Sequence, residues 1–398
     1  MDKEKQTRKA DRLFKIVWMI VTVYFIVQPI FHNASITGLV WKIGIVFLGM
    51  ITVLQIRCFA KRDFTIIAFL VAAMIIGLAS GGELANIDKW FSIAAFTNLL
   101  ILIDKSEEIS ISQKSVDYLY RIAVLLTVIF IAYIFRGIAN KATTGGVVWT
   151  CRYYVFNLDN SNTAGMYLYA IYCLILMHFF EEKGNRICDF GLLTVLIYMI
   201  WRTEARTCIA ATVFVTAIGM LYKKKKLPNI LEIVCFAFPV VFIFGYLWLF
   251  YSGFKDIAMG DKNLFSGRQE TFVTYLNFIR SPIHILFGNI SEVTFSNAHN
   301  GPLAIFCSTG LVGIVSFYFI FIRQVMRANK YATSPMNRIA IICILGFVIQ
   351  TSGEAGILLG GFPGAPFIFS FFLLALGNFE YDEKLKHHDP VRPLIMGE

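Results

Sequence analysis

The chain has 398 residues, 57% of them hydrophobic and only 16% charged, with a mean hydropathy of +0.66. That apolar share exceeds what a water-soluble domain of this length buries, so an ordinary globular enzyme is excluded and a polytopic membrane protein is expected. The formal net charge of +10 then reads as the loop asymmetry of a membrane chain, and no nucleic-acid partner is expected from it.

A spanning helix needs about 20 mainly apolar residues, and about twelve stretches approach this. In chain order they are Leu13 to Phe31, Leu39 to Ile56, Phe64 to Ala79, Trp90 to Ile103, Tyr118 to Phe135 and Thr163 to Phe180. There follow Ile187 to Trp201, Thr207 to Tyr222, Ile230 to Tyr251, Pro302 to Ile322, Ile339 to Thr351 and Phe362 to Asn378. The fourth, seventh and eleventh are short enough for one of them to be re-entrant. No small-residue cleavage pattern follows the first stretch, so it is read as the first helix rather than a signal peptide. The eight cysteines are scattered, mostly in apolar runs, and lack the close pairing of a metal site; no metal and no cofactor is expected.

Lysine and arginine concentrate in cytoplasmic connections. They crowd the N-terminal segment (Lys3, Lys5, Arg8, Lys9, Arg12) and then alternate connections: Arg57 with Lys61 and Arg62, Lys183 with Arg186, Lys223 to Lys226, and Arg323 with Arg327 and Lys330. The other set starts with the uncharged loop His32 to Gly38 and ends with the lysine-free, Gly-rich Gly353 to Gly361. Both termini are therefore expected in the cytoplasm, in a single membrane domain over 1–398 that ends in a cytoplasmic tail, 380–398. No internal repeat is evident. Two sizeable outer segments stand out, Arg136 to Asn162 and Ser252 to Asn300.

The outer face keeps Arg136, Lys141, Arg152, Arg202, Arg206, Lys255, Lys262, Arg268 and Arg280 against the charge rule. Each is explained either by snorkelling or solvation at a helix end, or by convergence on an anionic ligand. In Ser266-Gly-Arg-Gln269 the Ser and Gln have capping-box spacing, and Phe272, Tyr275, Leu276 and Ile279 follow at helical spacing before Pro282. This predicts an amphipathic helix on the outer membrane surface with Arg268 in its first turn, where the dipole favours an anion. The bland reading pairs Arg268 with a near acid such as Glu270. His299, in Ser296-Asn-Ala-His-Asn-Gly301 at the outer end of the tenth stretch, is either a proton acceptor for a hydroxyl or a hydrogen-bonded structural residue. The short outer hairpin Trp201-Arg-Thr-Glu-Ala-Arg-Thr207 offers Arg202 and Arg206, with an internal ion pair to Glu204 as the alternative.

These pieces resemble a family. Ser266-Gly-Arg268, Pro282, Phe287-Gly-Asn289, Ala298-His-Asn-Gly301 and Gly310-Leu-Val-Gly313, with Glu204-Ala-Arg-Thr207 and Asn160-Ser-Asn-Thr-Ala-Gly165 upstream, are similar in order and spacing to the O-antigen ligase and polymerase superfamily. The likeness extends to the Wzy-type polymerases of capsule and exopolysaccharide repeat units. It covers about the C-terminal two thirds; the first five stretches match in hydropathy alone. The resemblance implies an all-α, GT-C-like membrane fold of about twelve helices, with 252–300 as an outer catalytic loop. It also implies a metal-independent glycosyltransferase of the bacterial cytoplasmic membrane, acting on the outer face. Its donor would be an undecaprenyl-pyrophosphate-linked glycan, and its other partners membrane lipid and polysaccharide-assembly proteins.

Carried over by residue, Arg206 and Arg268 would hold the pyrophosphate and His299 would serve as base. Arg202, Arg280, Asn300, Asn160 and Asn162 would contribute to substrate binding. The outer loop is shorter than in many ligases, and Gly301-Pro302 replaces bulkier residues after His-Asn. The leading expectation is repeat-unit polymerisation into a surface polysaccharide. The alternatives are ligase-type transfer of a finished glycan to an acceptor and, from another class, a transporter or lipid-linked-sugar flippase. The last would call for charges at the midplane and paired halves.

Overall fold

The structure, a computed structural model, describes residues 60–79, 109–142, 161–181, 186–254, 258–259, 262–263, 268–277, 279, 281–289, 298–354 and 364–380, with parts of 11–26 and 93–101. The stretch Leu39 to Ile56, the residues Arg152, Asn160, Lys255, Ser266 and Arg280, and all positions beyond 380 lie outside the described residues.

The helices are α1 Lys61–Ala79, α2 Gln113–Ala142, α3 Ser161–Glu181, α4 Arg186–Thr203, α5 Arg206–Tyr222, α6 Asn229–Tyr251, α7 Arg268–Asn277, α8 Pro282–Phe287, α9 Gly301–Tyr331, α10 Pro335–Gln350 and α11 Gly364–Leu376. Apart from the short α7 and α8, each falls on an apolar stretch read from the sequence, and further helical residues occur at 11–26 and 93–101. Caps extend the bounds outward. Ser334 accepts from Asn337 N while the Asn337 side chain accepts from Ser334 N, starting α10 one turn before Ile339. Asn300 caps α9 by accepting from Leu303 N at 3.0 Å, with Pro302 in the first turn.

Among the described residues, four helical segments are long and apolar enough to cross a membrane: Gln113–Ala132, Ala164–Glu181, Asn229–Tyr251 and Gly301–Tyr331. Their burial differs sharply. The spanning window of α3 is 83% buried, whereas that of α6 is 28% buried although it is the more apolar of the two. Val241, Phe244 and Trp248 of α6 stand 61%, 64% and 66% exposed, a surface that water would not tolerate and lipid would. This is the surface of a helical membrane protein, with α3 as its central post.

Successive helices reverse, so the bundle has two poles. At one, the start of α3, the α4–α5 turn, α7, the start of α9 and the end of α10 meet. The other is formed by the end of α3, the start of α4, the end of α5, the start of α6, the end of α9, the start of α10 and the end of α11. There Asn329 near the end of α9 binds both Leu227 N and Leu227 O ahead of α6. Arg338 Nη1 donates to Lys223 O, and Asn337 Nδ2 donates to Leu374 O and Gly377 O. His178 Nδ1 lies 2.8 Å from Asp189, which accepts from Tyr120 at 2.6 Å. A parallel ladder closes this pole, β1 Ile109–Ser112 along β4 Gly377–Glu380, with Asp11 Oδ1 accepting from Ser112 N and Ser115 Oγ. A short hairpin, β2 Ala258–Met259 with β3 Lys262–Asn263, lies in the long segment between α6 and α7.

Small residues let the central helices touch, as expected where apolar lipid gives packing the leading role. A Cβ on Gly346 of α10 would overlap the Tyr169 hydroxyl on α3 and stand 2.5 Å from Val215 Cγ1 on α5. Gly346→Ala is therefore expected to lower stability by about 1–3 kcal/mol through overpacking. Adding Tyr169→Phe removes the offending oxygen and should restore part of the loss; thermal melting of the detergent-solubilised chain checks both.

Candidate functional site

Arg268 opens α7, as its sequence pattern predicts, but the helix does not lie free on a membrane surface. Its Phe272 and Tyr275 are buried, Phe272 against the Tyr246 ring of α6 at 5.5 Å and 66°, while Cys307 Sγ of α9 donates to Tyr275 O at 3.5 Å. Leu276 stays 37% exposed, and Ile279 packs partly against the core. The apolar stripe is thus the face that seats α7 on α6 and α9, and this seat fixes where Arg268 begins.

Arg268 does not pair with its neighbour Glu270. It reaches across the pole to Glu354, with Nη2 3.0 Å from Oε1. Glu354 follows the end of α10, where the chain turns through Ser352 N to Ile349 O, Gly353 N to Gln350 O and Glu354 N to Gln350 O. Those backbone bonds aim its carboxylate inward, leaving the side chain 9% exposed. Oε1 also accepts from Asn162 Nδ2 at 2.5 Å. Oε2 lies 3.6 Å from His299 Nδ1, just beyond hydrogen-bond reach.

His299 sits in the left-handed region, φ 49°, immediately before the cap of α9. Such a conformation is strained for a side chain with a Cβ and persists where its surroundings hold it. Asn300 supplies the hold: fully buried, it donates from Nδ2 to Pro239 O and Ser352 O and accepts from Leu303 N. Gly301 N adds a bond to Thr351 O at 2.8 Å. Asn300, expected to bind substrate, has its amide hydrogen-bonded within the protein on both its nitrogen and its oxygen. The imidazole is 30% exposed although its Nδ1 is buried, so the exposed edge is the rest of the ring.

The α4–α5 turn brings the second arginine. Glu204 is the other non-glycine residue with positive φ among the described residues, at 54°, and the chain then enters α5 at Arg206. The turn packs tightly on α3: a Cβ on Gly165 would stand 2.6 Å from Ala205 Cβ. It also touches the α10 end at Gly353, where a Cβ would overlap Thr207 Cγ2 and stand 2.6 Å from Arg268 Nη1. Arg202, in the last turn of α4, is partly buried on the same turn.

Four residues that the sequence singles out, Asn162, Arg206, Arg268 and His299, thus meet at one pole. Sequence reasoning misses Glu354, whose signal is a lone acid in the otherwise uncharged, Gly-rich segment Gly353 to Gly361. Chemically, two guanidiniums can hold an oxyanion, and an imidazole whose Nδ1 faces a carboxylate can take a proton at Nε2. No known protein family, curated protein or solved structure matches the chain.

Proposed function

We propose that the protein polymerises oligosaccharide repeat units carried on undecaprenyl pyrophosphate, acting as a glycosyltransferase at the outer leaflet of the bacterial cytoplasmic membrane. The observation that carries this reading is the convergence of Arg268, Glu354, Asn162 and His299, with the start of α5 at Arg206 and Thr207 beside them, from five separate segments of the chain. An outward site is supported by the gathering of Lys223 to Lys226, Lys330 and Arg338 towards the opposite pole, as the charge rule requires of a cytoplasmic one.

In this reading the acceptor sugar's hydroxyl oxygen bonds to the donor's anomeric carbon. The bond from that carbon to the pyrophosphate breaks, and its electron pair leaves with the pyrophosphate, whose growing charge faces Arg206 and Arg268. The hydroxyl proton passes to Nε2 of His299. Donors aimed at charge that develops during reaction are each worth about 10²–10³ in rate, and a positioned base about 10²–10⁴.

The test is the surface-glycan ladder of a strain lacking the gene, complemented with wild type or with His299→Ala, Arg268→Ala or Arg206→Ala at equal membrane level. Single repeat units on their usual acceptor, without a ladder, are the expected result. Long lipid-linked chains that never reach an acceptor would make the protein a ligase, and a normal ladder from all three variants would remove the catalytic assignment.

Gly353→Ala gives an independent check, because its Cβ would meet Thr207 and the Arg268 guanidinium. It is expected to displace Arg268 and lower glycan extension roughly tenfold to a hundredfold. Unchanged chain-length distribution would mean that Arg268 is not held where the reaction needs it.

A further inference from the structure

At the pole opposite the candidate site, the lysine run Lys223 to Lys226 joins α5 to α6, and the fold fastens this turn at both ends to the connection between α9 and α10. At one end Lys223 O accepts from Arg338 Nη1 at 3.3 Å. At the other, buried Leu227 is bonded twice to Asn329: its N–H donates to Oδ1 at 3.3 Å and its carbonyl accepts from Nδ2 at 2.9 Å. The charge rule asks only that lysines lie on one side of the membrane. It does not ask that two basic turns be tied together, and these ties set the chain at Lys330 and Arg338 beside the lysine run.

The cations of this junction differ in use. Lys223 lies over the Phe180 ring, with Nζ 5.2 Å from its centroid, and so belongs to the packing of α5 on α3. Lys224, Lys225, Lys226 and Lys330 are exposed. The Arg338 guanidinium is held by the carbonyl oxygens of Lys223 and Thr333, which orient it without cancelling its charge. Glu232, the acid in the first turn of α6, is buried and accepts from Asn329 Nδ2. The helix ends that carry the lysine run are apolar and open: Met220 and Leu221 of α5 and Ile230 and Ile233 of α6 are each more than half exposed. A cationic rim thus stands within about one helical turn of a lipid-facing apolar wall.

We propose that this junction binds an anionic phospholipid of the leaflet at this pole, with its headgroup phosphate among Lys224, Lys225, Lys226, Lys330 and Arg338 and its acyl chains along the exposed ends of α5 and α6. Complementarity decides the occupant. A free phosphate uses the rim and leaves the wall untouched; a neutral phospholipid uses the wall and leaves the rim uncompensated. An anionic phospholipid uses both, and lysine stems lying along apolar surface bring their ammonium groups to the phosphate level. The inference is independent of the glycosyltransferase reading, because the junction lies at the opposite pole and takes no part in that reaction.

The full chain in detergent is titrated with phosphatidylglycerol and, separately, with phosphatidylcholine of the same acyl chains, and bound lipid is counted by native mass spectrometry. Wild type is compared with Lys224→Gln/Lys225→Gln/Lys226→Gln and with the charge-keeping Lys224→Arg/Lys225→Arg/Lys226→Arg. The control, Arg12→Gln/Lys15→Gln/Lys114→Gln, removes three exposed cations from other elements. Each lysine near an anionic lipid surface contributes about fivefold in affinity, so phosphatidylglycerol is expected to bind the 224–226 glutamine variant roughly tenfold to a hundredfold more weakly. The arginine variant and the control should keep the wild-type preference for phosphatidylglycerol over phosphatidylcholine. Equal affinity of wild type for the two lipids overturns the inference, and so does an equal loss in both glutamine variants, which would make the attraction diffuse. A preference erased by millimolar inorganic phosphate assigns the cations to a free anion and overturns it as well. A loss in the arginine variant as large as that in the glutamine variant places the lysine run in the fold and overturns it too.

Discussion

Under the proposed glycosyltransferase function, replacing Glu354 by alanine is expected to slow glycan extension by about 10²–10³-fold while the chain still reaches the membrane. The carboxylate serves two partners on one oxygen, Arg268 at 3.0 Å and Asn162 at 2.5 Å, and stands 3.6 Å from His299 with the other. Alanine releases all three. The Arg268 guanidinium, 19% exposed, is left without its anion, and removing one partner of so enclosed a pair costs roughly 3 kcal/mol. The imidazole loses the carboxylate that its Nδ1 faces.

Two further substitutions separate those effects. Glu354→Gln keeps an acceptor for Arg268 and Asn162 but removes the charge facing His299, and should retain more activity than alanine without reaching wild type. Glu354→Asp keeps the charge and withdraws it by one methylene from partners that the α10 turn cannot bring nearer, so a loss close to that of glutamine is expected. The measurement is chain-length distribution at matched membrane level. A wild-type distribution from Glu354→Ala would remove the carboxylate from the mechanism and leave its contacts structural.

The helices of this bundle are legible because lipid imposes a single requirement on sequence, an apolar run, and such runs mark α1 to α6 and α9 to α11 whether or not each is long enough to span. What the runs do not say is which faces meet. In α7, the spacing of Phe272 and Tyr275 identifies an apolar stripe, but periodicity is the same whether the stripe rests on lipid or on Tyr246 and Cys307. The site divides in the same way. Arg268, His299, Asn162 and Arg206 can be read because polar residues at span boundaries are conspicuous. Glu354 cannot be assigned: it is 86 residues from Arg268 and 192 from Asn162, and nothing local announces a contact of that range. Asn300 looks like a ligand for the opposite reason. It stands next to His299 in sequence, yet its amide faces Pro239 O and Ser352 O, contacts that only the folded bundle creates.

The glycines of Phe287-Gly-Asn289 and Gly310-Leu-Val-Gly313, legible in the sequence only as parts of a motif, have a physical reason that leads to the second large effect. Here the backbones of α8 and α9 cross in direct contact. Gly288 has φ 79° and Gly310 φ 63°, both in the region that favours glycine. A Cβ on Gly288 would overlap the Ser308 carbonyl carbon and Thr309 N, and one on Gly310 would overlap the Leu286 carbonyl and Phe287 N. Each glycine therefore makes room for the peptide next to the other. The crossing is sealed by Asn289 N donating to Cys307 O at 2.7 Å, and Gly310 breaks the helical path of α9 at this level.

Gly288→Ala and Gly310→Ala are each expected to destabilise the chain by about 3 kcal/mol or more. Roughly 1 kcal/mol or more of that is the positive φ, and the remainder is the backbone overlap, which no side-chain rotamer relieves. Because each alanine forces apart the same two stretches of backbone, the double variant should cost less than the sum of the singles. Gly245 supplies the control: it lies inside α6 with nothing within 4 Å of its Cβ position, so Gly245→Ala should be neutral or slightly stabilising by helix propensity. Thermal melting in detergent and full-length membrane level give the comparison. A Gly310→Ala chain as stable as Gly245→Ala would mean that α8 does not cross α9 at this point. With intact stability the seat of α7 and the cap at Asn300, both carried by α9, would have to be held by something other than this crossing.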